Sequence, residues 1–429
     1  MHYTRGSTAM NFTFIHTADI HLDSPLRGLA AYSQELADCF RQASRQAFVN
    51  LVNAAIEQQV AFVIIAGDIF DGDWKNFETG LFFVKEISRL DRAGIPVYAI
   101  HGNHDAANET TKSVRYPGNV KFFNTKKPQT IVDEKTGAVL HGQGFADRWA
   151  HENIAENYPK PQPGKFNIGV LHTACEGSAD HATYAPCSVE QLCNHGYDYW
   201  ALGHVHGHEV LCDDPYVVFP GNLQGRHVRE CGEKGYCLVE VADGEVTRFV
   251  HVCIDVARWC DLLVEIDAEC CELYSLLDII AERVRHAASE AGGKPLAVRV
   301  TIEGATELHW QLVGDQNQVR AEVESALLTV SDEIMLEKLR IKTTEPKRAT
   351  VVDPAHNDMV QELMKELDGP EISEILEQEF AEHIATLKAK LTGKEATVPD
   401  EQELAELLEE AKGMVAAQLM GKGVEINAD

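Results

Sequence analysis

The chain contains 429 residues, of which 45% are hydrophobic and 24% are charged, so it has the length and composition of a globular protein with two or three domains. Its formal net charge of −29 argues against a broad basic surface for nucleic acid, and no apolar run approaches the roughly 20 residues of a membrane span. The 11 cysteines are odd in number and form no CxxC pair, which favours a reducing compartment. We therefore expect a cytoplasmic protein that does not bind membranes.

Residues 1–10 contain no apolar signal segment and are expected to form a loose leader. Residues 11–255 alternate short apolar runs with helical patterns. Each apolar run is predicted to be a strand, and the runs are FTFI (12–15), FVII (62–65), VYAI (97–100), IGVL (168–171) and YWAL (199–202). Helical patterns at about residues 33–59 and 77–93 separate the first three runs. Strands joined through helices predict an α/β fold with crossover connections and a sheet covered on both faces.

The remaining segments have different patterns. Residues 216–250 contain VVFPGN, YCLVEV and VTRFVHV between Gly-rich turns, which predicts mainly antiparallel strands that complete a second sheet of the same domain. Residues 256–347 predict strand, helix, strand, helix and strand, as a small α+β domain. Residues 348–429 predict three helices, and nearly half of the excess negative charge lies from residue 350 onward, where 19 acidic residues accompany 6 basic ones.

Polar side chains of metal-binding type follow each of the five apolar runs directly. They are His16, Asp19 and His21; Asp68 and Asp71; His101, Asn103, His104 and Asp105; His172; and His204 and His206. In an α/β sheet, ligands bind at the carboxyl ends of the strands, so we expect most of these side chains to meet in one site. His16 and His101 lie next to strand interiors, and we expect both to be packed, hydrogen-bonded histidines, as we do for His141 and His208.

The residue types in this group indicate the class of metal. Imidazole nitrogens mixed with carboxylate oxygens, without a thiolate, suit Mn, Fe or Zn better than Ca or Mg. The ligands are too many for one ion, but two ions about 3.5–4 Å apart that share one carboxylate would use them. Such a pair would make hydroxide available near neutral pH and would keep the site cationic within an acidic protein.

The order DxH, GDxxD, GNHD, strand-end His and GHxH resembles the calcineurin-like metallophosphoesterase superfamily over about residues 12–250. The resemblance implies a two-sheet sandwich flanked by helices. It implies a first metal ion held by Asp19, His21, Asp68 and His206, and a second held by Asp68, Asn103, His172 and His204. It also implies that His104 contacts the substrate phosphate and protonates the leaving oxygen, and that Asp71 orients and charges His104. Asp71 as a simple turn carboxylate is the alternative, and some nuclease relatives have a histidine there.

Two further stretches, FIHTADIHLDSPL and FPGNLQGRHVRECGEKGYCLVEV, resemble the bacterial DNA repair exonuclease branch of this superfamily. This branch contains SbcD-like and YhaO-like proteins and is related to the eukaryotic double-strand-break repair nuclease. The resemblance implies a DNA exonuclease or endonuclease that uses two divalent ions, with Mn²⁺ favoured over Fe or Zn. It also implies a capping domain at 256–347, a homodimer through helices of the catalytic domain, and docking of residues 348–429 onto the coiled coil of an SMC-like ATPase.

Three residues of the second stretch, Arg226, His227 and Arg229, are candidates to contact the DNA backbone. The alternative is that they form surface ion pairs with Glu230 and Glu233. Two other functions also stay open. One is a small-molecule phosphodiesterase or phosphatase that acts on a nucleotide, and the other is a non-catalytic assembly subunit, which is disfavoured because no expected metal ligand is missing.

Overall fold

The structure is a computed structural model, and it describes residues 11–24, 34–71, 77–106, 115–147, 151–175, 184–270 and 272–346. The expected leader at 1–10 and the expected docking helices at 348–429 lie outside these residues. The chain divides into two compact units. The first comprises the chain through Cys260 together with Ala291–Leu296, and the second comprises Asp261–Glu290 and the chain from Ala297 onward.

Among the residues that the structure describes, the first unit contains two six-stranded sheets and four α-helices. In chain order its elements are β1 (Phe12–Thr17), α1 (Gln34–Glu57), β2 (Phe62–Ile65), α2 (Phe77–Arg92), β3 (Val97–Ala99), α3 (Asn103–Ala106), β4 (Val120–Phe122), β5 (Gln129–Val132), β6 (Val139–Gly142), β7 (Asn167–His172), α4 (Val189–Asn194), β8 (Tyr199–Gly203), β9 (Glu209–Asp213), β10 (Tyr216–Phe219), β11 (Gly235–Ala242) and β12 (Glu245–Cys253). Short 3₁₀ turns lie at Ile154–Asn157 and Val228–Glu230.

The first sheet has the strand order β12-β11-β1-β2-β3-β4, and the second has the order β5-β6-β7-β8-β10-β9. Strands β1 to β4 are parallel, as are β6, β7, β8 and β10. The antiparallel partners lie at the edges, with β11 and β12 in the first sheet and β5 and β9 in the second. The carboxyl ends of the central strands in each sheet therefore face one edge.

The two sheets pack face to face, and helices cover the outside. Phe14 and Phe62 of the first sheet share one core with Leu140 and Ile168 of the second. On the other face of the first sheet, helix α2 places Phe83, Ile87 and Leu90 on one side of the helix, where they pack with α1 and the strands. The first sheet is thus covered on both faces, as predicted, by the second sheet on one face and by helices on the other. This architecture confirms the predicted two-sheet sandwich flanked by helices.

The expectation that residues 216–250 complete the second sheet is wrong for two of their three strands. Strand β10 joins the second sheet, but β11 pairs antiparallel with β1, with Ile15 opposite Leu238, and β12 follows it in the first sheet. The physical reason lies in the burial of β11. Its side chains alternate between the helix-facing core, which contains Leu238, and the core between the sheets, which contains Cys237 and Val239.

The second unit contains a small three-stranded sheet with helices, as the sequence predicts. Its described elements are β13 (Arg258–Glu265), α5 (Leu273–Glu290), β14 (Leu296–Ala305), α6 (His309–Gly314), α7 (Gln316–Val330) and β15 (Ile334–Thr344). The first residues of β13 belong to the first unit. The strand order is β13-β14-β15, and α6 is an additional helix that the sequence analysis did not predict. Of the helices that the structure describes, none combines the length and the apolar character that crossing a bilayer requires.

Candidate metal centre

The loops that follow β1 and β2 run side by side, and main-chain hydrogen bonds hold them together. The amide of Asp19 donates to the carbonyl oxygen of Gly67 at 3.0 Å, and the amide of His21 donates to that of Asp68 at 3.1 Å. One residue further on, Leu22 and Phe70 form a parallel β-bridge. The backbone therefore fixes Asp19 and His21 beside Asp68 before any side chain interacts.

Four candidate ligands have left-handed backbone conformations that ordinary residues rarely adopt. The φ angles are 50° at Asp19, 43° at His21, 50° at Asp68 and 107° at His204. Such conformations cost about 1–3 kcal/mol each and persist where surrounding structure enforces them, which is typical of functional sites. The strained positions therefore coincide with four of the seven residues that the sequence analysis assigned to metal binding.

Asp19, His21 and His206 form the first cluster of candidate ligands. Each offers one donor atom, and the three atoms lie within 4.8 Å of one another. The Nε2 atoms of His21 and His206 are 3.3 Å apart, and Nε2 of His206 lies 4.0 Å from Oδ1 of Asp19. Three converging nitrogen and oxygen donors of this kind fit a divalent transition metal ion.

Asp68, Asn103 and His172 form the second group, and Asp19 also approaches it. Nε2 of His172 lies 3.4 Å from Oδ2 of Asp68 and 3.0 Å from Oδ1 of Asn103. Nδ1 of His172 donates to the carbonyl oxygen of Ala66 at 2.9 Å, so Nε2 is the ring nitrogen that faces the other donors. Asp68 is also 3.8 Å from Nε2 of His21, which places its carboxylate between the two groups.

His204 lies against this group but contributes differently. Its ring centroid is 5.2 Å from that of His172, and its backbone amide donates to both carboxylate oxygens of Asp19, at 2.9 and 3.2 Å. Among the residues that the structure describes, its imidazole is not in any of the three-donor clusters of His, Cys, Asp and Glu. The predicted ligands thus converge, and six of them meet through side-chain donors.

Burial makes the charges in this site interact strongly. Desolvation raises the pKa of Asp19 to about 6. Burial alone would raise the pKa of Asp68 as well, but the neighbouring His172 and other imidazoles hold it well below its usual range. Burial would lower the pKa of His172, yet the Asp68 carboxylate raises it to about 9. Buried carboxylates that depend on nearby positive charge form a donor set suited to divalent cations.

His104 and Asp71 form a hydrogen-bonded pair at the edge of the clusters. Nδ1 of His104 lies 2.7 Å from Oδ1 of Asp71, and the hydroxyl of Ser24 donates to Oδ2 of Asp71 at 2.6 Å. Partial burial would lower the pKa of His104, but its bond to Asp71 raises the pKa overall. The side chain of His104 is 30% exposed, whereas that of His21, 4.9 Å away between ring centroids, is fully buried.

Known proteins match the chain over both units. The model of the calcineurin-like phosphoesterases matches residues 12–208, and that of the middle domain of metallophosphoesterase YhaO matches residues 259–344. A Bacillus subtilis relative, described as an uncharacterized metallophosphoesterase YhaO, is 30% identical over 374 residues, which cover 86% of this chain and 90% of the relative. The chain belongs to the YhaO-like metallophosphoesterases. It is thus a hydrolase of phosphoester bonds, from a family that uses a dinuclear divalent metal centre.

More distant relatives of this YhaO-like protein include archaeal proteins named DNA double-strand break repair protein Mre11. The protein from Sulfurisphaera tokodaii is 27% identical over 57% of this chain and 63% of its own length, and that from Methanopyrus kandleri is 24% identical over 72% and 71%. Solved structures include TT1561 of Thermus thermophilus, with a TM-score of 0.33, and a dimetal phosphatase from Danio rerio, with a TM-score of 0.34. Each is 12% identical, and they cover 54% and 57% of this chain and 99% and 98% of their own.

The YhaO-like chain places two of its three candidate DNA-contacting residues beside one buried carboxylate. Glu230 is 2.8 Å from the guanidinium of Arg226 and 3.4 Å from Nε2 of His227, while Arg229 is exposed. The alternative of ion pairing with Glu230 is therefore observed, although Glu230 is buried and the pair does not lie on the surface. Glu233 forms its ion pair with Arg258 instead, at 3.2 Å.

Glu230 belongs to the site, although the sequence analysis named it only as a partner for surface ion pairs. Its Oε1 lies 2.7 Å from Nδ1 of His206, whereas the other ring nitrogen, Nε2, approaches the cluster donors. An acidic residue in a polar, Gly-rich loop is usually exposed to solvent, so the local composition did not predict that Glu230 is buried. The available signal was its position, ten residues after a Pro-Gly turn that follows the GHxH motif.

Asp105 binds the backbone of neighbouring turns. Its carboxylate accepts hydrogen bonds from the amides of Ile69, Phe70 and Gly102. These bonds tie the loop after β2 to the loop after β3. The four histidines that the sequence analysis assigned to packing are packed. Three also make side-chain hydrogen bonds, His16 with Tyr199 and Leu202, His141 with Thr130 and Asn167, and His208 with Phe219. The ring of His101 stacks on that of Phe122.

Proposed function

We propose that this YhaO-like metallophosphoesterase is a DNA repair nuclease that hydrolyses phosphodiester bonds as an exonuclease and as a single-strand endonuclease. The observation that carries the proposal is the meeting of two groups of mostly buried donors beside the partly exposed His104–Asp71 pair. The Mre11 relatives, named as double-strand break repair proteins, favour DNA as the substrate. We place the activity in the cytoplasm, on composition and cysteine spacing.

The proposed centre binds two divalent ions. Asp19, His21, Asp68 and His206 would hold one ion, and Asp68, Asn103, His172 and His204 would hold the other. Asp68 belongs to both sets, and its position between the two groups supports that assignment. We propose Mn²⁺ over Fe or Zn, in keeping with mixed nitrogen and oxygen donors without a thiolate. When bound, such ions activate water for attack and neutralise charge on the phosphate.

His104 is the proposed general acid. Its Nδ1 is occupied by Asp71, so Nε2 is the nitrogen that can contact the phosphate and give a proton to the leaving sugar oxygen. Ser24 holds the other oxygen of Asp71, which fixes the carboxylate and through it the imidazole. We assign contacts with the phosphodiester backbone to Arg226, and to the more exposed His227 and Arg229 beside it.

A nuclease assay tests this proposal. Purified protein with Mn²⁺ is expected to degrade labelled duplex and single-stranded DNA, and Asp68→Ala is expected to abolish degradation because both ions lose a ligand. Asp91→Ala, a change of an exposed aspartate on α2, is the matched control and keeps full activity. Hydrolysis of small phosphodiesters without any cleavage of DNA would assign the protein to nucleotide or small-molecule substrates instead.

The role of His104 has its own test. His104→Asn is expected to retain both metal ions and to lose about 10²–10⁴-fold in turnover, because only the proton donor is removed. Metal content by mass spectrometry and turnover on DNA are measured on the same preparation. If His104→Asn loses a metal ion, His104 is a ligand and not the acid.

We propose two protein partners. Residues 348–429, with their acidic helical patterns, would dock onto the basic coiled coil of an SMC-like ATPase. Deletion of residues 350–429 is expected to abolish capture of such a coiled coil and to leave hydrolysis of a small phosphodiester unchanged. Capture that survives the deletion would contradict the docking proposal.

The second partner is another copy of this chain. Phe77 and Leu81 lie four residues apart on α2, and their side chains are 54% and 59% exposed, so they form an apolar pair on one side of the helix. The double variant Phe77→Ser, Leu81→Ser is expected to convert a dimer to a monomer in light scattering after size exclusion. Leu263→Ser, at an exposed leucine of β13, is the control, and an unchanged mass for the double variant would contradict this interface.

A further inference from the structure

Residues 220–234, here called the 220–234 segment, fold around His206. The amide of Asn222 donates to the carbonyl oxygen of His206 at 3.3 Å, and the ammonium of Lys234 donates to the same oxygen at 3.0 Å. Both residues are buried. The backbone of His206 is therefore held from two positions of a segment that contributes no candidate ligand of its own.

Glu230 holds the imidazole of His206 from the same segment. Its Oε1 is 2.7 Å from Nδ1 of His206 and also accepts from the guanidinium of Arg226 at 2.8 Å. Its Oε2 accepts from the side-chain amide of Asn222 at 2.9 Å and from the backbone amide of Arg226 at 2.8 Å. Four donors thus hold a buried carboxylate in one orientation, with Oε1 directed at the ring of His206.

This arrangement decides which nitrogen of His206 carries the proton. A carboxylate can only accept, so Nδ1 of His206 donates to Glu230, and the guanidinium nitrogen 3.0 Å from Nδ1 shares the same acceptor oxygen. The lone pair is then on Nε2, which is the atom that lies 3.3 Å from His21 and 4.0 Å from Asp19. The ring is therefore oriented with its basic nitrogen toward the first cluster.

His172 is oriented by a different group. Its Nδ1 donates to the carbonyl oxygen of Ala66, which is main chain and does not depend on any side chain. The two groups of candidate ligands thus differ. His206 in the first group is held by a side chain that a substitution can remove, and His172 in the second is held by the backbone.

We propose that Glu230 is a positioning residue of the metal centre, which fixes the tautomer and orientation of His206 and thereby sets the affinity for the first ion alone. This inference rests on the two-ion site proposed above. Partners of this kind typically change metal affinity by about 10–100-fold, so the effect is large enough to measure.

Titration of metal-free protein with Mn²⁺ by calorimetry tests the inference. Wild-type protein is expected to bind two ions, and His206→Ala and His172→Ala identify the binding step that belongs to each histidine. Glu230→Gln, which keeps the shape of the side chain, is expected to weaken the His206 step by about 10–100-fold and to leave the His172 step unchanged. Glu230→Asp, which keeps the charge but is one methylene shorter, is expected to weaken the same step by less.

Glu240→Gln is the matched control, since Glu240 also pairs with an arginine, Arg248 at 2.7 Å, but lies at the surface of β11. Unchanged affinity in both Glu230 variants overturns the inference. Equal weakening of both steps, with a lowered melting temperature of the metal-free protein, also overturns it, because Glu230 would then support only the fold. Wild-type protein that binds no Mn²⁺ overturns the proposed metal centre, and this inference with it.

Discussion

The strand-end loops and the 220–234 segment hold the candidate ligands by different means. Asp19 and His21 are placed by amide-to-carbonyl bonds between the loops after β1 and β2, and His172 is oriented by the carbonyl oxygen of Ala66. His206 is instead held by side chains, Glu230 at its ring and Lys234 at its carbonyl oxygen. The strand-end loops should therefore be sensitive to a Cβ atom added at a glycine close to the backbone. The 220–234 segment should be sensitive to the loss of single polar side chains.

The largest effect is expected at Gly203, where the backbone-held region is most crowded. A Cβ atom there would lie 2.0 Å from the carbonyl oxygen of Ala66 and 2.9 Å from Nδ1 of His172. Gly203→Ala must therefore move the carbonyl that orients His172, and we expect it to lower the free energy of unfolding by about 3 kcal/mol or more. Chemical denaturation of the metal-free protein measures this loss.

Gly207→Ala is the control for that experiment. Apart from its two chain neighbours, no described residue has a heavy atom within 4 Å of the position that its Cβ would take, so we expect only a small change in stability. Equal losses in the two variants would mean that the close approach of β8 to Ala66 does not limit the site.

A smaller effect is expected from Asp105, which also belongs to the backbone-held region. Asp105→Ala leaves the amides of Ile69, Phe70 and Gly102 without their acceptor in a buried place. We expect the free energy of unfolding to fall by about 1–3 kcal/mol. Asp105→Asn keeps one oxygen acceptor, so its free energy of unfolding should fall by less. A larger fall in the Asn variant than in the Ala variant would contradict this role.

The smallest effect is expected at the rim of the 220–234 segment. Arg229 is exposed, and Arg229→Gln should weaken DNA binding modestly for all sequences and reduce the slope of log affinity against log salt by about one. Fluorescence anisotropy at several salt concentrations measures both quantities. Arg248→Gln on β12 is the control, and an unchanged slope for Arg229→Gln would remove Arg229 from the DNA contact.

The same contrast explains how much of the site the sequence could predict. Buried parallel strands have continuous apolar runs, and ligands gather at their carboxyl ends, so the convergence of Asp19, Asp68 and His172 followed from pattern alone. The burial of Glu230 did not follow, because it depends on Arg226 nearby and on His206 from a preceding strand end. A local pattern does not encode which distant groups surround a loop residue.

The fold shows the same limit. The five predicted strands that lead into the site were all found, whereas β4, β5, β6 and β9 were not predicted. Strands β4, β5 and β9 are partly exposed and have no continuous apolar run. Strand β6 is buried, but its apolar run is only Val139-Leu140 before His141 and Gly142. Strand β11 was predicted as a strand but assigned to the wrong sheet. Its apolar sequence indicates burial on both faces, but it does not indicate that β1 is the neighbouring strand.

The central claim is that the strand ends of two sheets converge to hold a pair of divalent ions that share Asp68. Anomalous diffraction from crystals grown with Mn²⁺ tests it most directly. The account predicts two anomalous peaks about 3.5–4 Å apart, one on each side of the Asp68 carboxylate. A single peak, or none within reach of Asp19, Asp68 and His172, would contradict it.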